Sequence, residues 1–113
     1  KMLFIDIWAT YCPDCRKELS FLETLQKTYK GKPITFVSIS VDRDKEAWKK
    51  MVKEKKLSGI HLYASPETKE LFKKLYDLRS IPRYMLVDKE GNIISINAPM
   101  PSKGTALESL INL

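Results

Sequence analysis

The sequence predicts an α/β domain in three layers, with helices on both faces of a mixed sheet. Three observations carry this. Short β-branched and aromatic runs alternate with stripes of helical period through residue 76, the last third opens with two strand-like runs joined by a tight turn, and 113 residues with 43% hydrophobic composition suffice for one buried core. A strand, helix, strand unit needs a crossover and therefore a parallel pair, whereas a tight turn imposes an antiparallel pair, so the sheet must be mixed.

The elements follow in chain order. Residues 2 to 8, "MLFIDIW", form an almost unbroken apolar run, the pattern of a strand covered on both faces, and Asp6 is conspicuous within it. Leu19, Leu22, Leu25 and Tyr29 recur at helical spacing with Phe21 alongside, Gly31 to Pro33 supply the stop, and the helix begins close to Cys12. "ITFVSISVD", 34 to 42, is a second strand, and a helix capped by Asp42 or Asp44 runs from there to about Lys55. "IHLY", 60 to 63, is a short third strand. Ser65 and Pro66 give an N-cap and a first-turn proline to a helix carrying Leu71, Phe72 and Leu75. "RYMLVD" and "NIISIN" form a hairpin about Lys89, Glu90 and Gly91, and Ser102 is placed to cap a last helix with Leu107, Leu110 and Ile111 on one face. The chain contains no repeat or low-complexity tract. Its opening directly on a buried strand predicts a single domain, 1–113, excised from a longer protein.

The formal charge of +6 raises the question of a nucleic-acid surface, but its distribution argues against one. Lys45, Lys49, Lys50, Lys53, Lys55 and Lys56 interleave with Glu46, Glu54 and the apolar Trp48, Met51 and Val52, as on the solvated side of an amphipathic helix. No apolar run reaches the roughly 20 residues of a membrane span, so any membrane attachment is expected through an anchor outside this sequence.

The chemistry is concentrated in "WATYCPDCRKEL", 8 to 19, which holds both of the chain's cysteines. A structural zinc site wants four ligands, usually from two such pairs. This chain offers one pair and the single His61, which reads as a partly exposed strand residue. A stapling disulfide normally closes more chain, because the entropy gained from so short a loop is only about 2 kcal/mol. A lone peroxide-reducing cysteine leaves Cys15 without a purpose, and Thr10 stands two residues before Cys12 where peroxiredoxins place a threonine three before. The redox reading explains the placement. Free N–H groups and the positive end of the helix dipole stabilise a thiolate at the first position, making Cys12 the attacker, while Cys15, one turn further in, resolves the mixed disulfide.

"FIDIWATYCPDC" resembles the active-site segment of the thioredoxin superfamily, and "SIPRYMLVDKEGNII" resembles that superfamily's cis-proline loop and hairpin. With "VSISVD" and the helical insertion between 42 and 80, the whole chain is similar to the TlpA/ResA-type thiol-disulfide oxidoreductases of bacterial envelopes. The resemblance implies a thioredoxin-like α/β/α sandwich with a C-terminal hairpin and helix. It makes Cys12 the nucleophile, Cys15 the resolving thiol and Pro82 a cis-proline beside the sulfurs, with the backbone of Ile81 free to pair with an extended substrate. Trp8 is expected beneath the active-site turn and Tyr11 on the contact surface. Asp6 falls where thioredoxins keep a buried acid, which would take the proton of Cys15. Two departures matter. Ser38 stands where a lysine often faces that acid, and Pro13-Asp14 puts the proline first between the cysteines. Asp14 beside the sulfurs favours a more reducing couple, whereas Pro13 is similar to oxidising motifs, so the residues leave direction open.

The expected activity is dithiol-disulfide exchange on protein disulfides. The resemblance favours the reducing direction, an envelope or periplasmic location, and electrons from a partner protein rather than a cofactor. The competing readings are a disulfide donor, a non-catalytic peptide-binding module, and a copper or haem-maturation metallochaperone drawing on Met85, Met100 and His61. No nucleic-acid partner, metal or cofactor is expected.

Overall fold

A computed structural model describes residues 1–112. Five strands and four helices follow one another as β1 (Met2–Trp8), α1 (Pro13–Thr28), β2 (Ile34–Ser40), α2 (Lys45–Glu54), β3 (Ile60–Tyr63), α3 (Pro66–Tyr76), β4 (Arg83–Val87), β5 (Ile93–Ser95) and α4 (Gly104–Ile111). The strands form one sheet ordered β3-β2-β1-β4-β5. The pairs β1–β2 and β2–β3 are parallel, while β4 runs antiparallel to both β1 and β5. The mixed sheet, its hairpin and the element order agree with the sequence reading.

Side-chain alternation sorts the core into two layers. Phe4, Phe36, Tyr84 and Leu86 pack with Leu22 and Leu25 of α1 and Leu107 and Ile111 of α4. Ile5, Ile7, Ile39 and Met85 pack with Trp48, Met51 and Val52 of α2 and Phe72 and Tyr76 of α3. The period of two along β1 puts alternate side chains on opposite faces, so this central strand is covered on both sides. The lysine-rich stretch is the outer side of α2, as its spacing indicates.

Three expectations are corrected or sharpened. Ser102 does not cap α4: Lys103 occupies that position without a side-chain bond, and the Ser102 N–H instead donates to Glu18 Oε1 at 2.8 Å. Of the two aspartates offered as caps for α2, Asp44 accepts from the N–H groups of Glu46 and Ala47 at 3.1 Å each, and Asp42 is drawn inward. Of the three apolar residues expected to anchor α3, only Phe72 joins the core, together with Tyr76, whereas Leu71 and Leu75 are 53% and 67% exposed. The hairpin turn closes through Gly91, whose φ of +88° suits a residue without Cβ.

Candidate active site

The site is built at the carboxyl end of β1. Trp8 closes that strand, and the Cys12 N–H then bonds back to the Ala9 carbonyl at 3.2 Å. This turn places Cys12 at the N-cap of α1, in extended conformation with φ −89° and ψ 110°. Its carbonyl accepts the first helical bond, from the Arg16 N–H at 3.1 Å, and its sulfur accepts the Cys15 N–H at 3.1 Å. The sulfur thus occupies the position in which a capping serine or aspartate satisfies a free helix donor. Pro13 follows at the first helical position, where a proline removes no needed donor. That accounts for the shifted proline in local terms.

Cys12 and Cys15 are joined as a disulfide, their Cα atoms 5.2 Å apart. Both are buried, Cys15 the more deeply. Trp8 packs against them with Ala9 and Ile7, and among the described residues nothing bonds its Nε1. Tyr11, directly before Cys12, is 61% exposed. Asp14 carries a side chain 78% exposed and lies 3.9 Å from Lys17, so solvent and a counter-charge weaken its influence on the sulfurs.

Across from the sulfurs, the Ile81-Pro82 bond is cis, and the Ile81 carbonyl oxygen lies 3.8 Å from the Cys12 sulfur. Arg83 secures this loop from behind. Its Nη1 donates to the carbonyls of Tyr76 at 2.8 Å and Ile96 at 3.3 Å, and its Nη2 donates to the Asp77 carbonyl at 2.8 Å. A cavity of about 550 Å³ opens beside the loop, lined by Ile81, Pro82, Lys17, Glu18, Tyr84 and Met100 among others.

Asp6 lies on β1 two residues before Trp8 and is 4% exposed. Its neighbours across the sheet are Ser38 on β2 and Tyr84 on β4. The Ser38 hydroxyl donates to Asp6 Oδ2 at 2.8 Å. Burial pushes the carboxyl up to about 7, with the Ser38 bond working in the opposite direction. Burial, followed by the charges of Asp6 and Glu18, also drives the Tyr84 phenol upward.

The structure therefore gathers Trp8, Cys12, Cys15 and Ile81 into one cluster, with Tyr11 at its exposed rim and Asp6 deeper on the same face of β1 as Trp8. Three residues escaped the sequence reading. Glu18 is only 8% exposed. Its signal was available, since Cys15, Glu18, Leu22 and Leu25 form the buried stripe of α1 at helical spacing, and an acid within that stripe is anomalous. Tyr84 stands at an alternating inward position of β4. Asp42 was read only as a possible cap, yet it is buried and bonded to Thr10. Met85 shares the buried cluster of the cysteines, Met100 lines the cavity beside the proline loop, and the His61 ring bonds the Ser58 carbonyl; among the described residues no three His, Cys, Asp or Glu side chains gather as a metal site requires.

A CxxC disulfide at the start of the helix after a central strand, facing a cis-proline loop on a β3-β2-β1-β4-β5 sheet, defines the thioredoxin class of domains. The chain belongs to the thioredoxin-like family, whose model matches residues 1–93. Among solved structures it is similar to a protein from Bacteroides vulgatus provisionally named a thiol-disulfide oxidoreductase, at 42% identity and a TM-score of 0.85, covering 99% of this chain and 72% of that one. A thiol:disulfide interchange protein from a Bacteroides species aligns at 27% identity and a TM-score of 0.84, over 100% and 74% of the two chains. Thiol-disulfide oxidoreductase ResA of Bacillus subtilis is 25% identical over 112 residues, which are 99% of this chain and 58% of that protein. The chain thus spans little more than half the length of this relative.

Proposed function

We propose that the chain is a thiol-disulfide exchange domain that reduces protein disulfides. The observation that carries the exchange reading is the position of the Cys12 sulfur, at the N-cap of α1 with the Cys15 N–H 3.1 Å away and the Ile81 carbonyl 3.8 Å away; the reducing direction rests on the family resemblance. The first contact stabilises a thiolate, and the second brings the loop that would hold an extended substrate next to the reacting atom.

The step runs from the dithiol form. The Cys12 thiolate attacks one sulfur of the substrate disulfide, forming a mixed disulfide and releasing the other substrate sulfur as thiolate. Cys15 loses its proton and attacks the Cys12 sulfur, so the Cys12–Cys15 bond forms as the mixed disulfide breaks. The second substrate sulfur leaves as thiolate and takes up a proton from water. Two electrons pass from the Cys12/Cys15 pair to the substrate, and two more from a partner dithiol protein regenerate it. Asp6, with a carboxyl near 7, is suited to accept the Cys15 proton. Trp8 supports the turn from below, while Tyr11, Ile81 and Pro82 form the contact surface. The dithiol carries the electrons, so this reading calls on no cofactor. The support for a TlpA-like role in an oxidising bacterial envelope or periplasm is the family resemblance; no helix among the described residues is long and apolar enough to cross a membrane.

The test is equilibration in glutathione buffers with quantification of free thiols, for the chain and for Cys12→Ser. A potential near −270 mV, with exchange abolished by the substitution, supports a reductase; a value near −120 mV reverses the direction to disulfide donation. Thiols that never exchange overturn the reading.

A further inference from the structure

The carboxylate of Asp42 is buried at 3% exposure and has a concentrated set of partners. It accepts the Thr10 N–H at 3.0 Å on Oδ1 and 3.2 Å on Oδ2, and the Thr10 hydroxyl at 2.7 Å on Oδ1. The Ser40 hydroxyl donates to Oδ2 at 2.5 Å and itself accepts the Asp42 N–H at 3.0 Å. Just before it, the Val41 N–H donates to the Trp8 carbonyl at 2.9 Å, continuing the β1–β2 pairing to its last possible position. Among the described residues no cation bonds the carboxylate. Arg43, Asp44 and Lys69 line the cavity that opens over Thr10, Tyr11 and Asp42, and Glu70 and Lys73 line the adjoining one.

A buried carboxylate is costly unless its oxygens are bonded, and bonds to a charged acceptor are the stronger kind. Here three of the four bonds received from other residues come from Thr10, two residues before the Cys12 sulfur. The carboxylate is therefore the last fixed point of β2 acting on the segment that leads to the nucleophile. In the oxidised chain the disulfide ties Cys12 to α1 as well. Reduction removes that tie, and the sulfur then keeps its place over the Cys15 N–H only if the Thr10–Cys12 segment holds its course.

We propose that Asp42 is a positioning residue for the exchange reaction, gripping Thr10 so that Cys12 stays at the N-cap of α1 in the dithiol state. This rests on the exchange activity proposed above, but its readout does not need a disulfide substrate. Losing the grip moves the sulfur away from the donors that stabilise its thiolate, so the thiol's titration shifts upward and fewer thiolates are present at neutral pH.

The test measures the pH dependence of Cys12 alkylation by iodoacetamide in the fully reduced chain, Thr10→Val and Asp42→Asn, with far-UV circular dichroism on each. Thr10→Val keeps the charge and the side-chain volume and decides the matter if Asp42→Asn does not fold. The expected result is native-like spectra with the alkylation midpoint raised by about half a pH unit or more in Thr10→Val, a roughly threefold slower reaction at pH 7, and a shift in the same direction in Asp42→Asn. Unchanged midpoints in folded variants would show that the bonds serve only the fold, and would overturn the proposal. A midpoint lowered in Asp42→Asn and unmoved in Thr10→Val would also overturn it, since the carboxylate would then act on the sulfur through its charge alone. If the unmodified chain reduces no disulfide, the proposed function fails, while the alkylation midpoints still decide the role of Asp42.

Discussion

The Ser38 hydroxyl meets the Asp6 carboxylate at 2.8 Å across the β1–β2 pair, both residues shut away from solvent. A hydroxyl supplies a hydrogen bond but no charge. Burial holds the carboxyl up near 7, above the ordinary carboxylate range, and this bond offsets only part of that shift.

That value makes a signed prediction about stability. The folded chain retains the Asp6 proton between its ordinary 3.8 and about 7, whereas the unfolded chain releases it. The contribution of the neutral acid is thus fully present below about pH 4 and lost as pH rises through 7. At about 1.4 kcal/mol for each tenfold change in proton affinity, the whole effect amounts to about 4 kcal/mol at most. Asp6→Asn should therefore gain stability relative to the unmodified chain on going from pH 4 to pH 8. Urea unfolding at pH 4, 6 and 8 measures this, and a constant difference across the series would mean that Asp6 titrates like an exposed carboxyl.

Ser38→Ala removes the hydroxyl that donates to the Asp6 side chain and leaves the ionised form harder to keep. Hydrogen bonds to charged groups contribute about 1.5–3 kcal/mol, so the carboxyl should rise by a further one to two pH units, roughly. Under the proposed function, in which Asp6 takes the Cys15 proton, the corresponding limb of single-turnover exchange should move to higher pH by the same amount. A profile that keeps its position would separate Asp6 from the resolution step.

The architecture was legible because its signals are local. β-branched runs, capping residues and the Gly91 turn each act within a few positions, and they located all nine elements. The pairing of Cys12 with Cys15 and the cis bond at Pro82 were legible because the spacing and neighbours of these residues carry a motif. Ser38 opposite Asp6 was readable too, since aligning strand ends fixes the register. What stayed hidden depends on contacts distant in sequence. Glu18 meets Ser102 across 84 residues, and Asp42 meets Thr10 across 32. In each case a residue with an ordinary local role, a helix-face acid or a cap, is redirected by a partner that local pattern does not name. Ser102 was misread for the same reason: its backbone N–H is taken by Glu18, and the helix starts one residue later than its hydroxyl suggests.

Arg83 holds the proline loop through three backbone carbonyls, two of them at the carboxyl end of α3, where a cation also meets the negative end of the helix dipole. A lysine has one nitrogen and cannot span the three acceptors. Arg83→Lys and Arg83→Ala should both lose stability, the alanine by about 2–3 kcal/mol. Hydrogen exchange at the Ser80 and Ile81 amides should quicken in both. Under the proposed function the loosened loop raises KM for a protein disulfide more than it lowers kcat, and steady-state kinetics with a disulfide peptide would expose the opposite split.

Glu18 joins the helix that carries the cysteines to the segment before α4, through the bond from Ser102 N–H to its Oε1 at 2.8 Å. Glutamine offers an oxygen at the same place and alanine offers nothing. Glu18→Gln should therefore unfold within about 0.5 kcal/mol of the unmodified chain, while Glu18→Ala strands a part-buried N–H and costs about 1–3 kcal/mol. The loss in the alanine variant should come with faster hydrogen exchange at Ser102, because that amide loses its acceptor, and without a change at Leu25, which lies further along α1. Urea titration of the three chains and amide exchange at those two positions check this. Equal stability of the glutamine and alanine variants would mean that the Glu18 carboxylate serves the adjoining cavity rather than the junction between α1 and α4.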